Sequence, residues 1–203
     1  MPSMHCSNIA AMAFNRSCLL LKSFHSNDVS LLVRLYKVYV RPLLESNTQV
    51  WNPWLHKDIH CIERVQRFFT RAIFKRAGIS YMDYVDRLAN LGLQSLEYRR
   101  VFYDLVMCYK IYNNLVDLPF ESFFTKPSRS YSIRGHPCIL RSNYLPRHAF
   151  RAHFFTERVI PIWNHLPHDV VTSSNITVFR TRLRSVDLSH FCTLYPFPCL
   201  GSL

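Results

Sequence analysis

The sequence predicts a mainly α protein, in which a small helical bundle is followed by a basic, loop-rich and partly helical C-terminal region. Three observations favour this fold. Apolar residues recur at helical spacing in several segments. Capping residues and glycines stand at the ends of those segments. Three sizeable helices and a short one are crowded into about 90 residues, as in a bundle. A hydrophobic content of 49% in 203 residues is too high for a disordered chain and sufficient for a buried core.

Two helices are predicted in the N-terminal part of the chain. Residues 5–24 are apolar with scattered cations and form the first helix, which ends before Asn27. Ser26, Asn27 and Asp28 are good N-cap residues, and apolar residues follow at helical spacing in the second helix. Pro42 is expected to kink or end this second helix, because proline lacks an N–H group and disfavours helical geometry at the residue before it.

The most regular pattern predicts a helix from about Asp58 to Ala77, stopped by Gly78. Its apolar residues step by three or four positions and form one face: Ile59, Ile62, Val65, Phe69 and Ile73. Basic residues with the same spacing form a second stripe: Arg64, Arg67, Arg71 and Lys75. Such a stripe is usually a solvated face. The alternative is a track for phosphates, which gains weight because few acids offset these charges.

Two further helices complete the predicted bundle. A short helix covers residues 81–91 and is closed by Gly92, and a longer one is capped by Ser95 and ends near Asn113.

The C-terminal part of the chain has weaker signals. Residues 154–163 are apolar but interrupted by Pro161, so they suit either a helix or a strand. Ser173 or Ser174 is predicted to cap a last helix, and residues 191–203 are predicted to be loose. Three tryptophans in aromatic turns are expected to pack in the core: Trp51, Trp54 and Trp163.

A long stretch of the chain carries no acidic residue. Residues 122–156 hold no Asp or Glu, but they hold six cations: Lys126, Arg129, Arg134, Arg141, Arg147 and Arg151. Aromatic residues, Tyr131 and Tyr144 among them, are interleaved with these cations. Uncompensated cations repel one another, so the pattern indicates a surface that a polyanion neutralises, with rings on which unpaired bases stack. The alternative is a solvated basic loop.

Overall composition narrows the class of partner. A formal net charge of +12 and a pI near 9.6 favour an acidic partner, most often nucleic acid. Neither a membrane-spanning run nor a signal peptide is found, so we expect a nuclear or cytoplasmic protein without a membrane partner. The seven cysteines form no C-x-x-C pair and are expected to be free thiols. His56, His60 and Cys61 lack a second ligand pair, so neither a metal nor a cofactor is expected.

Motifs in order over nearly the whole chain resemble a non-LTR retrotransposon reverse transcriptase of the jockey-like (LINE-type) group, in the part that follows the polymerase palm. The residues that carry the resemblance are 35–37, 40–45, 50–53, 62–71, 91–93, 95–100, 109–110, 134–136, 155–159, 163–167 and 179–183. Each motif is weak alone, and their order makes the set specific. Ser46 and Asn47 depart from the aromatic or Tyr-Ala pair that is usual in the family.

The resemblance implies a division of the chain by function. Residues 1–26 would be a helical lead-in from the palm, and residues 27–116 a thumb-like bundle that grips a template–primer duplex. Residues 117–190 would be the basic C-terminal region, thought to bind the element's own RNA, with residues 191–203 as a tail.

The chemistry of the family is not expected in this chain. RNA-directed DNA polymerisation needs two metal ions held by carboxylates, normally including an adjacent Asp pair. No two acidic residues are adjacent here, and no nucleophile stands in a recognisable catalytic context. We therefore expect no enzymatic activity from this chain alone.

The leading hypothesis is a fragment that lacks the palm and binds RNA, an RNA–DNA hybrid or DNA, with a separate palm-containing chain as a further candidate partner. Phosphates would be contacted by Arg64, Arg67, Arg71 and Lys75 in the bundle, and by Arg129, Arg134, Arg141 and Arg147 in the basic region. Bases would stack on Tyr131 and Tyr144. The alternatives are a helical protein-interaction module that uses Phe68, Phe102 and Phe120, and a retroelement relic without a function.

Overall fold

The computed structural model describes residues 2–126, 136–143 and 149–194. Most of these residues are helical and only two short strands occur among them, so the predicted mainly α class is confirmed. The described chain forms two compact units. The first comprises residues 2–100 with 193–194, and the second comprises residues 101–126, 136–143 and 149–192. The functional boundaries at residues 26, 116 and 190 stay predictions.

The first unit is built from helices in chain order. They are α1 (Pro2–Ser23), α2 (Val29–Leu35), α3 (Arg41–Glu45), α4 (Thr48–Trp51), α5 (His56–Arg76), α6 (Tyr84–Asn90) and the start of α7 (Leu96–Tyr112). Helix α1 packs along α5 and also contacts α3. The residues that α1 buries in the core are mostly small, such as Cys6, Ala10 and Ala13. Small side chains let the two long helices approach closely.

Local signals set most of the helix ends in this unit. The side chain of Asp28 accepts hydrogen bonds from the N–H groups of Ser30 and Leu31 and caps α2, as predicted. Gly78 and Gly92 follow α5 and α6 with φ angles of 66° and 58°, a left-handed conformation that glycine adopts without a steric penalty.

The predicted effect of Pro42 is only partly correct. Helical backbone continues through this residue to the end of α3 at Glu45. Between α2 and α3, residues Tyr36–Val40 form a π-helical turn, which ends with the N–H of Arg41 donating to the carbonyl of Tyr36. A π turn widens the helix where the ring of a proline would otherwise meet the carbonyl four residues before it. The helix therefore deforms ahead of Pro42, but it does not end there.

A buried polar cluster ties the helices of the first unit together. The hydroxyl of Tyr36 donates to Gln66 Oε1 at 2.6 Å, and Gln66 Nε2 lies 3.0 Å from the Tyr84 hydroxyl. The Tyr84 hydroxyl donates to Glu63 Oε1 at 2.5 Å, and the backbone N–H of Leu96 donates to both oxygens of Glu63. Burial raises the pKa of Glu63 to about 7. The same carboxyl thus links α5 to α6 and satisfies the first N–H group of α7.

The core of the second unit is rich in aromatic side chains. After α7 come β1 (Phe124–Thr125) and β2 (Arg141–Ser142), an antiparallel pair in which Phe124 lies opposite Ser142. Three helices follow: α8 (Phe155–Asn164), α9 (His168–Val171) and α10 (Ile176–Leu183). The ring of Tyr109 stacks on Phe179 with centroids 4.3 Å apart.

Trp163 is fully buried in this core, as predicted. Its indole N–H donates to the carbonyl of Cys138 at 2.8 Å. The other two tryptophans are only half-buried, but Trp51 still packs against the core, so the prediction for Trp51 and Trp54 is only partly correct. The indole N–H of Trp51 donates to the carbonyl of Ser46 at 2.8 Å, so this ring lies over a turn.

The C-terminal helices confirm neither a strand at residues 155–164 nor the predicted cap of the last helix. Residues 155–164 form a helix and not a strand, with Pro161 inside it. The cap of α10 is Asn175, whose side chain accepts from the N–H groups two and three residues ahead at 3.0 and 2.9 Å. The predicted caps are wrong, because Ser173 is buried and its hydroxyl donates to a carbonyl of α9, while Ser174 lies outside the first turn of α10.

Candidate nucleic-acid interface

The basic stripe on α5 is exposed along its whole length. Arg64, Arg67, Arg71 and Lys75 are all solvent-exposed, and the eleven-residue step from first to last spans about 16 Å along the helix axis. The stripe of the sequence is therefore a row of cations on one side of a long helix.

The opposite side of α5 fixes how the helix presents this row. Ile62, Phe69 and Ile73 are fully buried. The polar residues Glu63, Gln66 and Thr70 are buried as well, and two of them belong to the polar cluster described above. Because both apolar and hydrogen-bonded residues hold α5 in place, rotation of the helix about its axis would break specific bonds.

The row has no exposed carboxylate on its own helix. The acids of α5 are Asp58 and Glu63, and both are buried. Asp58 accepts a hydrogen bond from the hydroxyl of Ser3 at 2.6 Å. Within the described part of the chain, no carboxylate lies within ion-pair distance of Arg64 or Arg71.

Arg67 differs from its neighbours in the row because it already has an aromatic partner. Its guanidinium lies 4.5 Å from the centre of the Tyr84 ring, and the guanidinium of Arg87 lies 5.5 Å from the same centre. A cation–π contact of this kind orients the exposed Arg67 side chain.

The basic C-terminal stretch is described only in part. Arg141 is exposed on β2, in the second unit. The ammonium of Lys126 lies 4.9 Å from the centre of the Tyr112 ring and 5.2 Å from that of Phe120. The other predicted contacts lie outside the described residues: Arg129, Tyr131, Arg134, Tyr144 and Arg147.

His136, at the end of the Arg-Gly-His motif, is a core residue. It is 2% exposed, and its Nδ1 accepts a hydrogen bond from the N–H of Cys138 at 3.1 Å. Nε2 therefore carries the proton and donates to the carbonyl of Trp163 at 3.1 Å. The imidazole thus holds the residues before β2 against α8.

Two carboxylates of the second unit already have polar partners. Asp104 of α7 forms a two-pronged ion pair with Arg158 of α8, with distances of 2.7 and 3.1 Å. Glu157 accepts a hydrogen bond from the hydroxyl of Ser142. Neither acid forms an ion pair with Arg141.

The alternative hypothesis places a protein-interaction surface at three phenylalanines. Phe68, Phe102 and Phe120 are all half-buried. More exposed apolar side chains occur elsewhere, at Val50 and Tyr81, which are 86% and 82% exposed.

The described ranges offer neither a cluster of metal ligands nor a membrane-spanning helix. Residues 2–126, 136–143 and 149–194 contain no group of three His, Cys, Asp or Glu side chains that could hold a metal ion. None of the helices in these ranges combines the length and apolar character needed to cross a bilayer.

Fold and site together define a mainly helical protein with an exposed, arginine-rich helix face. No family model matches the chain. It is 32% identical over 112 residues to a Caenorhabditis elegans protein described as "Uncharacterized protein B0403.1". The match covers 55% of this chain and 54% of that protein, so the chain spans about half the length of this relative. No solved structure matches. The relative's description names no activity, so the similarity assigns no function.

Proposed function

We propose that this chain binds nucleic acid without catalysing a reaction, as the thumb and C-terminal part of a jockey-like non-LTR reverse transcriptase. The ligands would be RNA, an RNA–DNA hybrid or DNA. One observation carries the proposal. Arg64, Arg67, Arg71 and Lys75 form an exposed row on α5, while the two acids of that helix are buried. Phosphates spaced along a nucleic-acid backbone would supply the missing negative charge.

Two further features support this ligand class. Residues 1–27 contain no Asp or Glu, so α1, which packs beside α5, adds no negative charge to this side of the unit. The net charge of +12 would also favour encounter with a polyanion at a distance.

The salt dependence of binding tests the proposal. Equilibrium binding of a single-stranded RNA and of an RNA–DNA hybrid would be measured between 50 and 200 mM salt (about a fourfold range), where counterion release changes affinity steeply. Replacing Arg64, Arg67 and Arg71 by Ala is expected to reduce the slope of log K against log salt by about 2, since each lost phosphate contact removes about 0.7 to 0.9.

A control variant with the same change of net charge separates the effect of the α5 row from that of total charge. Arg16, Arg34 and Arg184 are exposed and lie outside the row, and their replacement by Ala also removes three charges. This control is expected to keep the slope within about one contact of the wild-type value. Equal slopes in the two triple variants, or no salt-dependent binding by the wild-type chain, would contradict the proposal.

A further inference from the structure

A groove of about 690 Å³ runs between α1 and α5 in the first unit. Its floor includes Ala10 and Val65, which are 5% and 3% exposed. Ser7 and Ala11 also line it, and their short side chains leave the space above the floor open. The size lies in the range of pockets that hold small organic groups.

Two phenylalanine rings form an apolar wall of this groove. The centroids of Phe14 and Phe68 lie 4.7 Å apart, with 50° between the ring planes. Phe68 packs partly against the core, but Phe14 is 41% exposed. The core therefore covers only part of the surface of these two rings, and the rest is available to a ligand.

Three arginines of the α5 row line the same groove: Arg64, Arg67 and Arg71. No carboxylate is among the residues that line it. Apolar rings inside and cations at the rim together match a ligand with a flat aromatic part joined to an anionic part. A nucleotide has this chemistry, because its base offers a π face and its phosphate carries the charge.

We propose that the groove binds an unpaired nucleotide of a single-stranded nucleic acid, with its base against Phe14 and Phe68 and its backbone phosphates on Arg64, Arg67 and Arg71. Bases in a duplex are stacked on one another, so only an unpaired base can lie against these rings. The inference rests on the proposed function and adds to it a preference for single strands at this site.

The test compares ligands that differ only in the base. The full chain would be titrated with a short single-stranded RNA, with the same strand carrying abasic sites, and with the corresponding duplex. The double variant Phe14→Leu with Phe68→Leu keeps apolar volume but removes both rings. It is expected to weaken binding of the ordinary strand at least about fivefold, the lower end for loss of base stacking. Binding of the abasic strand and of the duplex should stay unchanged.

Two further variants keep the result independent of folding. Ala11→Trp places a bulky side chain in the groove from an exposed helix position and should also weaken binding of the ordinary strand selectively. Phe154→Leu is the matched control, because Phe154 is 60% exposed and lies in the second unit. This control should bind every ligand as the wild-type chain does.

The possible results separate the two proposals. If the wild-type chain binds ordinary and abasic strands equally and the groove variants bind as it does, the groove is not a base site. The proposed function then stands if the arginine triple variant still flattens the salt slope. If no strand binds with salt dependence, both proposals fail. If the groove variants lose binding only to a fatty acid such as oleate, the groove is an amphiphile site and the inference is overturned.

Discussion

The hydroxyl of Tyr84 donates a 2.5 Å hydrogen bond to Glu63 Oε1, and both side chains are almost completely shielded from solvent. The bond joins α6 to α5, the helix that carries the row of arginines used by the proposed function. The same carboxyl accepts the N–H of Leu96, so three helices meet at one ionisable group. The state of this group therefore affects the packing of the first unit.

Stability is expected to fall as pH rises because of Glu63. Burial raises its pKa from about 4.5 to about 7, so the folded chain binds this proton more tightly than the unfolded chain does. The resulting stabilisation is fully present below about pH 4.5 and is lost as pH rises to about 7. Its size is on the order of 3 kcal/mol at most. Urea unfolding at several pH values would measure it.

Glu63→Gln supplies the control for that prediction, since glutamine cannot ionise. The difference in free energy of unfolding between the wild-type chain and this variant should decrease from pH 4.5 to 7 and then level off. Parallel curves for the two proteins over this range would show that Glu63 titrates at its ordinary pKa.

Arg158→Ala is expected to destabilise the second unit by about 3 to 5 kcal/mol. Asp104 is 2% exposed and would lose its two-pronged cationic partner. Arg158→Lys should recover only part of the loss, because an ammonium cannot form two parallel bonds to one carboxylate. Thermal or chemical unfolding of each variant measures the effect.

A double-mutant cycle separates this pair from general packing. Asp104→Asn combined with Arg158→Ala should cost less than the sum of the two single changes, since the remaining charge is gone. Additive costs would mean that the ion pair contributes little. Arg184→Ala, at an exposed position, should change stability by no more than about 0.5 kcal/mol.

Asn175→Ala is expected to cost about 1 kcal/mol of stability, because two N–H groups at the start of α10 lose their acceptor. Asn175→Asp should retain most of the stability, since a carboxylate can also accept these bonds. Ser174→Ala should stay within about 0.5 kcal/mol, as this exposed serine does not cap the helix. The reverse order of costs for Asn175 and Ser174 would contradict the observed cap.

Replacing Arg129, Arg134 and Arg141 by Ala tests the basic C-terminal stretch. If these residues contact the RNA backbone, the slope of log K against log salt should fall by about 2 for a single-stranded RNA. The triple variant of Arg16, Arg34 and Arg184 controls for the loss of net charge. An unchanged slope in the first variant would remove this stretch from the interface and leave the α5 row as the remaining proposal.

Several elements were predictable because their signals are local. Asp28 caps α2, and Gly78 ends α5, as side-chain chemistry and backbone freedom within a few residues require. The basic row of α5 was predictable for the same reason, because a period of 3.6 residues places Arg64, Arg67 and Arg71 on one side of any straight helix.

Other features depend on residues distant in sequence. Gln66 and Thr70 fall at the same helical spacing as the apolar residues of α5, and this is a signal that they face the core. Their burial still requires distant partners, such as Tyr36 and Tyr84 for Gln66. His136 likewise belongs to a basic motif in the sequence and becomes a core residue only because α8 supplies the carbonyl of Trp163.

The sequence by itself determined that this is a mainly helical, strongly basic chain with a row of arginines on its most regular helix. Net charge is a sum over the residues, and helical periodicity depends only on residues three or four positions apart, so neither needs the tertiary fold. Only the tertiary structure decided which charges stay exposed. Asp58 and Glu63 are buried and accept hydrogen bonds from Ser3 and Tyr84, and Asp104 forms an ion pair with Arg158. The packing of α1 on α5 likewise created the groove beside the row, because the residues that line it on α1 and those on α5 are more than forty positions apart in the sequence.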